Sequence, residues 1–299
     1  MDKKNENGLF SGVATALVTP FTEDGIDLPT FRRLIDLQIN ARVSALVVAG
    51  TTGEASTLKD KERDALLYEA LKATEDRLPV ILGCGSNDTE RAVFYTKRAK
   101  ELGAHAALVV TPYYNKGTRS GIRTHFLRIA EAADLPIVLY NVPSRTGVDL
   151  SLDDYAVLRE HPNILGVKEA SDSIEKMARL CAMRKNDFRV YTGNDCMLLP
   201  SLSLGADGII SVASGVLPSK MCEIFSLFRE GKVEKAQEEN ARLLPLYSLL
   251  FRETNPSPIK YALSLLGLGN GSLRLPLEMP SEGVREEIAA WIKKLFKEI

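Results

Sequence analysis

The sequence predicts an α/β fold: a closed (β/α)8 TIM barrel with a C-terminal helical extension. Three observations predict it. Eight short runs rich in Val, Ile and Leu recur along the chain, apolar at successive positions rather than alternating. Parallel strands buried on both faces read this way. Segments of helical period separate the runs, and beyond the eighth only helical periodicity continues. Eight strand–helix units in series, with no long inserted block, imply a closed barrel. An open doubly wound sheet would want a glycine-rich turn after its first strand, and Thr19-Pro20-Phe21 is not one.

In order, the strand-like runs are 13–19, 45–50, 79–83, 106–111, 136–141, 164–170, 189–193 and 207–213. Helical segments span 28–41, 59–74, 88–102, 122–133, 151–160 and 173–185. Capping residue types precede several of them, with Thr57 expected to cap the second. The tail reads as helix over 220–229, 233–251, 258–266 and 282–296. One of these completes the eighth unit. The expected division is therefore a barrel domain over 1–231 and an extension over 232–299.

The bulk numbers exclude several function classes. A net charge of −1 and a pI of about 6.4 give no field for nucleic acid or anionic lipid. No apolar run approaches the length of a membrane span. The first ten residues, MDKKNENGLF, lack the apolar run of a signal peptide, so a cytoplasmic protein is expected. Cys84, Cys181, Cys196 and Cys222 form no CxxC pair and are expected to be buried, reduced thiols. His105, His125 and His161 are scattered away from the strand ends, which disfavours metal chemistry. Gly83-Cys84-Gly85 is too short to claim a phosphate loop, so no cofactor is expected. The charged stretches 60–63 and 97–101 are expected to be solvated helix faces.

Barrel chemistry sits at the C-terminal ends of strands. Among those positions Lys168 stands out, because it follows Ile164, Leu165 and Val167 in a strand with little polar character. A buried ammonium is costly unless paired or neutralised, and a neutral amine is a nucleophile toward a ketone. A lysine that reaches out to water or pairs with Glu169 is the bland alternative. Tyr140 ends the neighbouring strand, where a phenol can shuttle protons or merely bond a backbone carbonyl. Thr51 and Thr52 lie in the glycine-flanked turn Gly50-Thr51-Thr52-Gly53-Glu54, either an anion nest or a plain helix cap. Tyr113 and Tyr114 sit beside Pro112 on an exposed loop, as at many subunit contacts. Arg145, past Pro143-Ser144, suits a bidentate carboxylate or a surface ion pair.

In order, Gly50-Thr51-Thr52-Gly53-Glu54, the run Tyr140 to Gly147 (YNVPSRTG) and Gly166-Val167-Lys168-Glu169-Ala170 make the chain resemble a known family. This is the dihydrodipicolinate synthase (4-hydroxy-tetrahydrodipicolinate synthase) family, within the N-acetylneuraminate lyase superfamily of class I aldolases. The resemblance runs from Gly12 to the segment Asn255-Pro256-Ser257-Pro258-Ile259-Lys260. It implies that Lys168 forms an imine with pyruvate and that Tyr140 donates and accepts the proton. Thr51 and Tyr114 would complete a relay, with Tyr114 reaching into an adjacent subunit. Thr52 would hold the pyruvate carboxylate, with Gly193 and Ile210 lining the pocket through backbone groups. Arg145 would receive the carboxylate of L-aspartate-4-semialdehyde, and the assembly would be a homotetramer built as a dimer of tight dimers. Sialate lyases resemble Gly-Ser-Thr-Gly-Glu at the threonine loop and generally lack the Pro-Ser-Arg turn. Aldolases or dehydratases of 2-keto-3-deoxy sugar acids remain the nearest rival, and a silent keto-acid-binding paralogue the other. One departure concerns regulation. Lysine-inhibited members bind lysine near the positions of Asn87 and Tyr113, and tend to carry histidine and glutamate where Arg63 and Arg91 stand. Two arginines there repel an ammonium, so weak or absent lysine feedback is expected.

Overall fold

Eight parallel strands close into a barrel: β1 (Gly12–Ala16), β2 (Ala45–Val48), β3 (Val80–Gly83), β4 (Ala106–Val110), β5 (Ile137–Asn141), β6 (Ile164–Glu169), β7 (Arg189–Thr192) and β8 (Gly208–Ser211). Each pairs with the next, and β8 returns to β1 through Gly12↔Gly208 to Thr15↔Ser211. This computed structural model describes residues 9–184 and 188–298. The polar segment 1–8 and Lys185, the expected end of the sixth helix, lie outside the described residues.

The helices α1 (Leu28–Asn40), α2 (Asp60–Thr74), α3 (Thr89–Glu101), α4 (Arg119–Ala132), α5 (Leu152–Leu158), α6 (Ile174–Ala182), α7 (Leu198–Ser203) and α8 (Pro218–Arg229) alternate with the strands. The extension adds α9 (Val233–Leu250), α10 (Ser257–Leu265) and α11 (Glu282–Glu298). Among the described residues no helix is long and apolar enough to cross a membrane.

Side chains along a strand alternate between the lumen and the helix layer, and here both sides are apolar. Ala14, Val47, Ile81, Leu108, Val138 and Ile210 fill the lumen, while Leu46, Leu82, Leu139 and Ile209 pack outward with Leu34, Leu66 and Phe126. Continuous apolar runs are the sequence image of these two cores. Tyr191 plugs the lumen from below: its ring stacks on Phe10 at 4.2 Å and its hydroxyl donates to the Phe10 carbonyl at 2.7 Å.

Side-chain caps start most of the barrel helices. Asp27, Asp88, Thr118, Ser151 and Ser173 each accept from a backbone N–H of the first turn. Thr57 is not a cap, contrary to expectation. Glu54, in the left-handed region at φ 55°, starts a 3-10 turn over Ala55–Thr57, and the Thr57 hydroxyl donates back to the Glu54 carbonyl at 3.1 Å. The α2 helix begins later, where Glu62 accepts from the Lys59 N–H at 2.8 Å. Elements too short to show a period escaped the sequence reading: the hairpin Phe21–Thr22/Gly25–Ile26, the single turn Pro143–Thr146, and α7. The cysteines also differ from expectation. All four are free, yet only Cys84 is buried, and Cys196 is exposed because it lies in the turn after β7, beyond both apolar layers.

Candidate active site

Strand register decides which way Lys168 points. It lies opposite Tyr140 on β5 and Tyr191 on β7, and both tyrosines belong to the lumen. Lys168 therefore faces inward. Its residue is 5% exposed, and its Nζ lies 4.3 Å from the centre of the Tyr140 ring. Glu169 faces the other way. Its carboxylate accepts from the Tyr155 hydroxyl at 2.8 Å, from Asn141 Nδ2 at 2.9 Å and from the Ser171 N–H at 2.7 Å. The alternative of a Lys168–Glu169 pair is thereby removed. Among the described residues Lys168 Nζ takes part in no hydrogen bond or ion pair, and the hydroxyls of Tyr140 and Thr51 form no hydrogen bond. Gly193 leaves room for the lysine stem: a Cβ there would fall 2.8 Å from Lys168 Cε.

Asp195, close enough to feel the Lys168 charge, is 1% exposed and accepts from the Ser211 hydroxyl at 2.5 Å and from the N–H groups of Val212 and Ala213. Burial raises its carboxyl above the usual range, against those bonds and the Lys168 charge. Neither Asp195 nor its role was singled out from the sequence, since an acid after Gly193-Asn194 carries no pattern of its own.

The turn after β2 is held open. Ala49 and Glu54, at φ 51° and 55°, are non-glycine residues in the left-handed region on either side of it. The N–H groups of Gly53, Glu54 and Ala55 are spent on Gly50 and Thr51 carbonyls. Those of Thr51 and Thr52 donate to no group among the described residues, so two N–H dipoles remain for an anion. Thr52 is buried and its hydroxyl accepts from Asn255 Nδ2 at 2.9 Å.

Lys168, Tyr140, Thr51, Thr52, Arg145 and Gly193 come together on a cavity of about 700 Å3. Its outer wall is the end of α9 and the following turn, from Tyr247 to Asn255. Arg145 Nη2 donates to the Asn255 carbonyl at 3.1 Å and pairs with no carboxylate among the described residues. Ile210 is fully buried in the lumen cluster with Tyr140, below the cavity wall. Tyr114 is not brought in: it stands 88% exposed at φ 71° and lines neither this cavity nor its neighbour. Sequence reasoning missed Asn255, Glu54 and Lys260 as site neighbours. Lys260, in the apolar run Pro258 to Leu263, carried the same signal as Lys168, a cation in an apolar segment.

A second cavity of about 530 Å3 adjoins the first through Thr51, Tyr140, Arg145 and Asn255. Arg63 and Arg91 line it. The expected solvated face over 60–63 is corrected here: Arg63 is only 4% exposed. It donates to the carbonyls of Gly83 and Ala55 and lies 4.2 Å over the Tyr95 ring, which pulls it beneath α3. Arg91 binds Asp60 at 2.5 Å and the Tyr95 hydroxyl at 2.9 Å.

Comparison with known proteins agrees with this geometry. The model of the dihydrodipicolinate synthetase family matches residues 9–295. The chain is 44% identical over 286 residues to 4-hydroxy-tetrahydrodipicolinate synthase of Alkaliphilus oremlandii, covering 96% of this chain and 99% of that one. It superposes on the crystal structure of dihydrodipicolinate synthase from Thermotoga maritima with a TM-score of 0.93 at 42% identity, covering 95% and 98% of the two chains. The dihydrodipicolinate synthase of Aquifex aeolicus gives 0.94 at 38% identity, covering 96% and 98%.

Proposed function

The chain belongs to the dihydrodipicolinate synthetase family, and we propose that Lys168 is its Schiff-base nucleophile, acting on pyruvate at the mouth of the barrel. The activity is that of a lyase of the 4-hydroxy-tetrahydrodipicolinate synthase type, on the pathway to diaminopimelate and lysine. The sugar-acid aldolase and the silent paralogue have no such support.

One observation supports the residue roles: a buried amine with no hydrogen-bond partner among the described residues, 4.3 Å from the ring of a tyrosine whose hydroxyl is equally unspent there. The neutral Lys168 amine adds to the ketone carbon of pyruvate, and loss of water gives the imine. Tyr140 supplies and recovers the proton in these steps. The free N–H groups and hydroxyl at Thr51 and Thr52 hold the pyruvate carboxylate, with backbone groups of Gly193 and Ile210 shaping the pocket. A proton leaves the methyl carbon, and the enamine attacks the aldehyde carbon of L-aspartate-4-semialdehyde. Arg145 holds that substrate's carboxylate through the N–H groups not spent on Asn255. The substrate amine then replaces Lys168 at the imine carbon, which closes the ring and frees the lysine.

The exposed Tyr114 fits a relay completed across a subunit contact, so we take the working unit to be a homotetramer of tight dimers, in the cytoplasm. Residues 1–231 form the catalytic barrel in this reading, and 232–299 the extension that walls its mouth. The test is borohydride reduction in the presence of pyruvate, with and without aspartate semialdehyde, followed by peptide mapping. One reduced pyruvate adduct on the Lys168 peptide is expected, diminished by the aldehyde. A folded protein that traps nothing, or traps elsewhere, overturns the assignment.

A further inference from the structure

Resting on the pyruvate reading above, we infer that Asn255 is a positioning residue that ties Thr52 to Arg145 across the mouth of the barrel. Asn255 comes from the extension, far from both partners in sequence, and is 4% exposed. Its side-chain amide donates to Thr52 Oγ1 at 2.9 Å, and its backbone carbonyl accepts from Arg145 Nη2 at 3.1 Å. It lines both cavities. A hydroxyl that accepts one bond keeps its own proton to give. With the Asn255 amide on its lone pair, the Thr52 hydroxyl is set as a donor toward an anion. Likewise the Asn255 carbonyl orients the guanidinium and leaves its remaining N–H groups for a second anion.

The grip is doubled behind the loop. Five residues on, Lys260 Nζ donates to Glu54 Oε1 at 2.5 Å, with the two side chains 3% and 0% exposed. Thr52 and Glu54 are two residues apart, so one short segment of the extension holds the threonine turn at two points. Pro256 and Pro258 fix the backbone between those points. The turn needs holding, because its flanking residues Ala49 and Glu54 sit in the left-handed region that side chains disfavour. Thr52 places one carboxylate and Arg145 the other, and Asn255 touches both anchors, the first through its side chain and the second through its backbone, so shortening the side chain loosens only the pyruvate end.

The test is a double-mutant cycle read by borohydride trapping and by turnover. Asn255→Ala is expected to raise the half-saturating pyruvate for trapping about tenfold, about 1.4 kcal/mol, with turnover at saturation within about threefold. In a Thr52→Val background the same change is expected to cost less than about twofold, because the bond it removes is already gone. Should Asn255→Ala not fold, Asn255→Ser, whose hydroxyl is too short to reach Thr52, serves in the same cycle. Equal effects in both backgrounds, or a fall in turnover with half-saturation unmoved, overturn the positioning role. A wild-type enzyme that traps no pyruvate at all overturns the underlying reading, and this proposal with it.

Discussion

Lysine 260 is the position where stability and site geometry can be separated most sharply. Lys260→Met keeps the length of the stem and removes the charge, so little cavity is created. What remains is the Glu54 carboxylate, fully buried, holding one backbone donor, the Arg274 N–H at 3.0 Å. Breaking a buried pair from one side costs about 3–5 kcal/mol. The retained Arg274 contact and its guanidinium, 4.2 Å over the Phe21 ring beside the pair, put the expected cost at the lower end, about 3 kcal/mol. At about 2.1 cal/mol/K per residue, a chain of this length then melts about 5 °C lower. Thermal unfolding at pH 7 is the assay. Glu54→Gln combined with Lys260→Met removes both charges and should recover at least half of the loss. A single variant within about 1 °C of wild type, or a double variant no better than the single, refutes the reasoning.

The other predictions concern the remaining buried groups. Lys168→Met should abolish trapping yet raise stability by about 1–3 kcal/mol, because an amine that hydrogen-bonds to nothing among the described residues is replaced by an apolar side chain in the barrel lumen; a lower melting temperature contradicts that account. Tyr140→Phe should cut turnover by about 10²–10³ while the protein still forms a trappable adduct at high pyruvate, and unchanged turnover would remove the proton role. Burial holds the His125 imidazole down at about 4. Between pH 6.5 and 4 the unfolded chain therefore binds a proton that the folded one refuses, and stability falls by up to about 3 kcal/mol as pH falls. His125→Asn should lack this component, so the melting difference from wild type should change across that window. Free lysine at submillimolar concentration should leave turnover unchanged, because Arg63 and Arg91 line the cavity beside the site and disfavour an added cation there; a sharp inhibition curve would overturn this.

Strand positions and the ends of α1, α9 and α11 were legible because they rest on local periodicity and long apolar faces. Arg63 was misread for the same reason. In the string Asp60-Lys61-Glu62-Arg63 it is one of four charges, and only the approach of Tyr95 on α3 shows that it is covered. Cys196 was misread because burial statistics for cysteine say nothing about a turn at the rim.

For the site, the sequence by itself determined that Lys168, Tyr140, Thr51, Thr52 and Arg145 end or follow barrel strands, since strand order and the direction of a parallel barrel place them all at one end. Which neighbour Lys168 would meet was a matter of register, a one-residue choice between Glu169 outside and Tyr140 inside. Pairing Tyr140 with Lys168, and Lys168 with Tyr191, made that choice. The tertiary structure alone decided that Asn255 and Lys260, some 200 residues along the chain from Thr52 and Glu54, hold the turn that faces the lysine. No local pattern encodes such contacts, because hydrogen bonds and ion pairs between distant segments depend on how the extension packs back over the barrel.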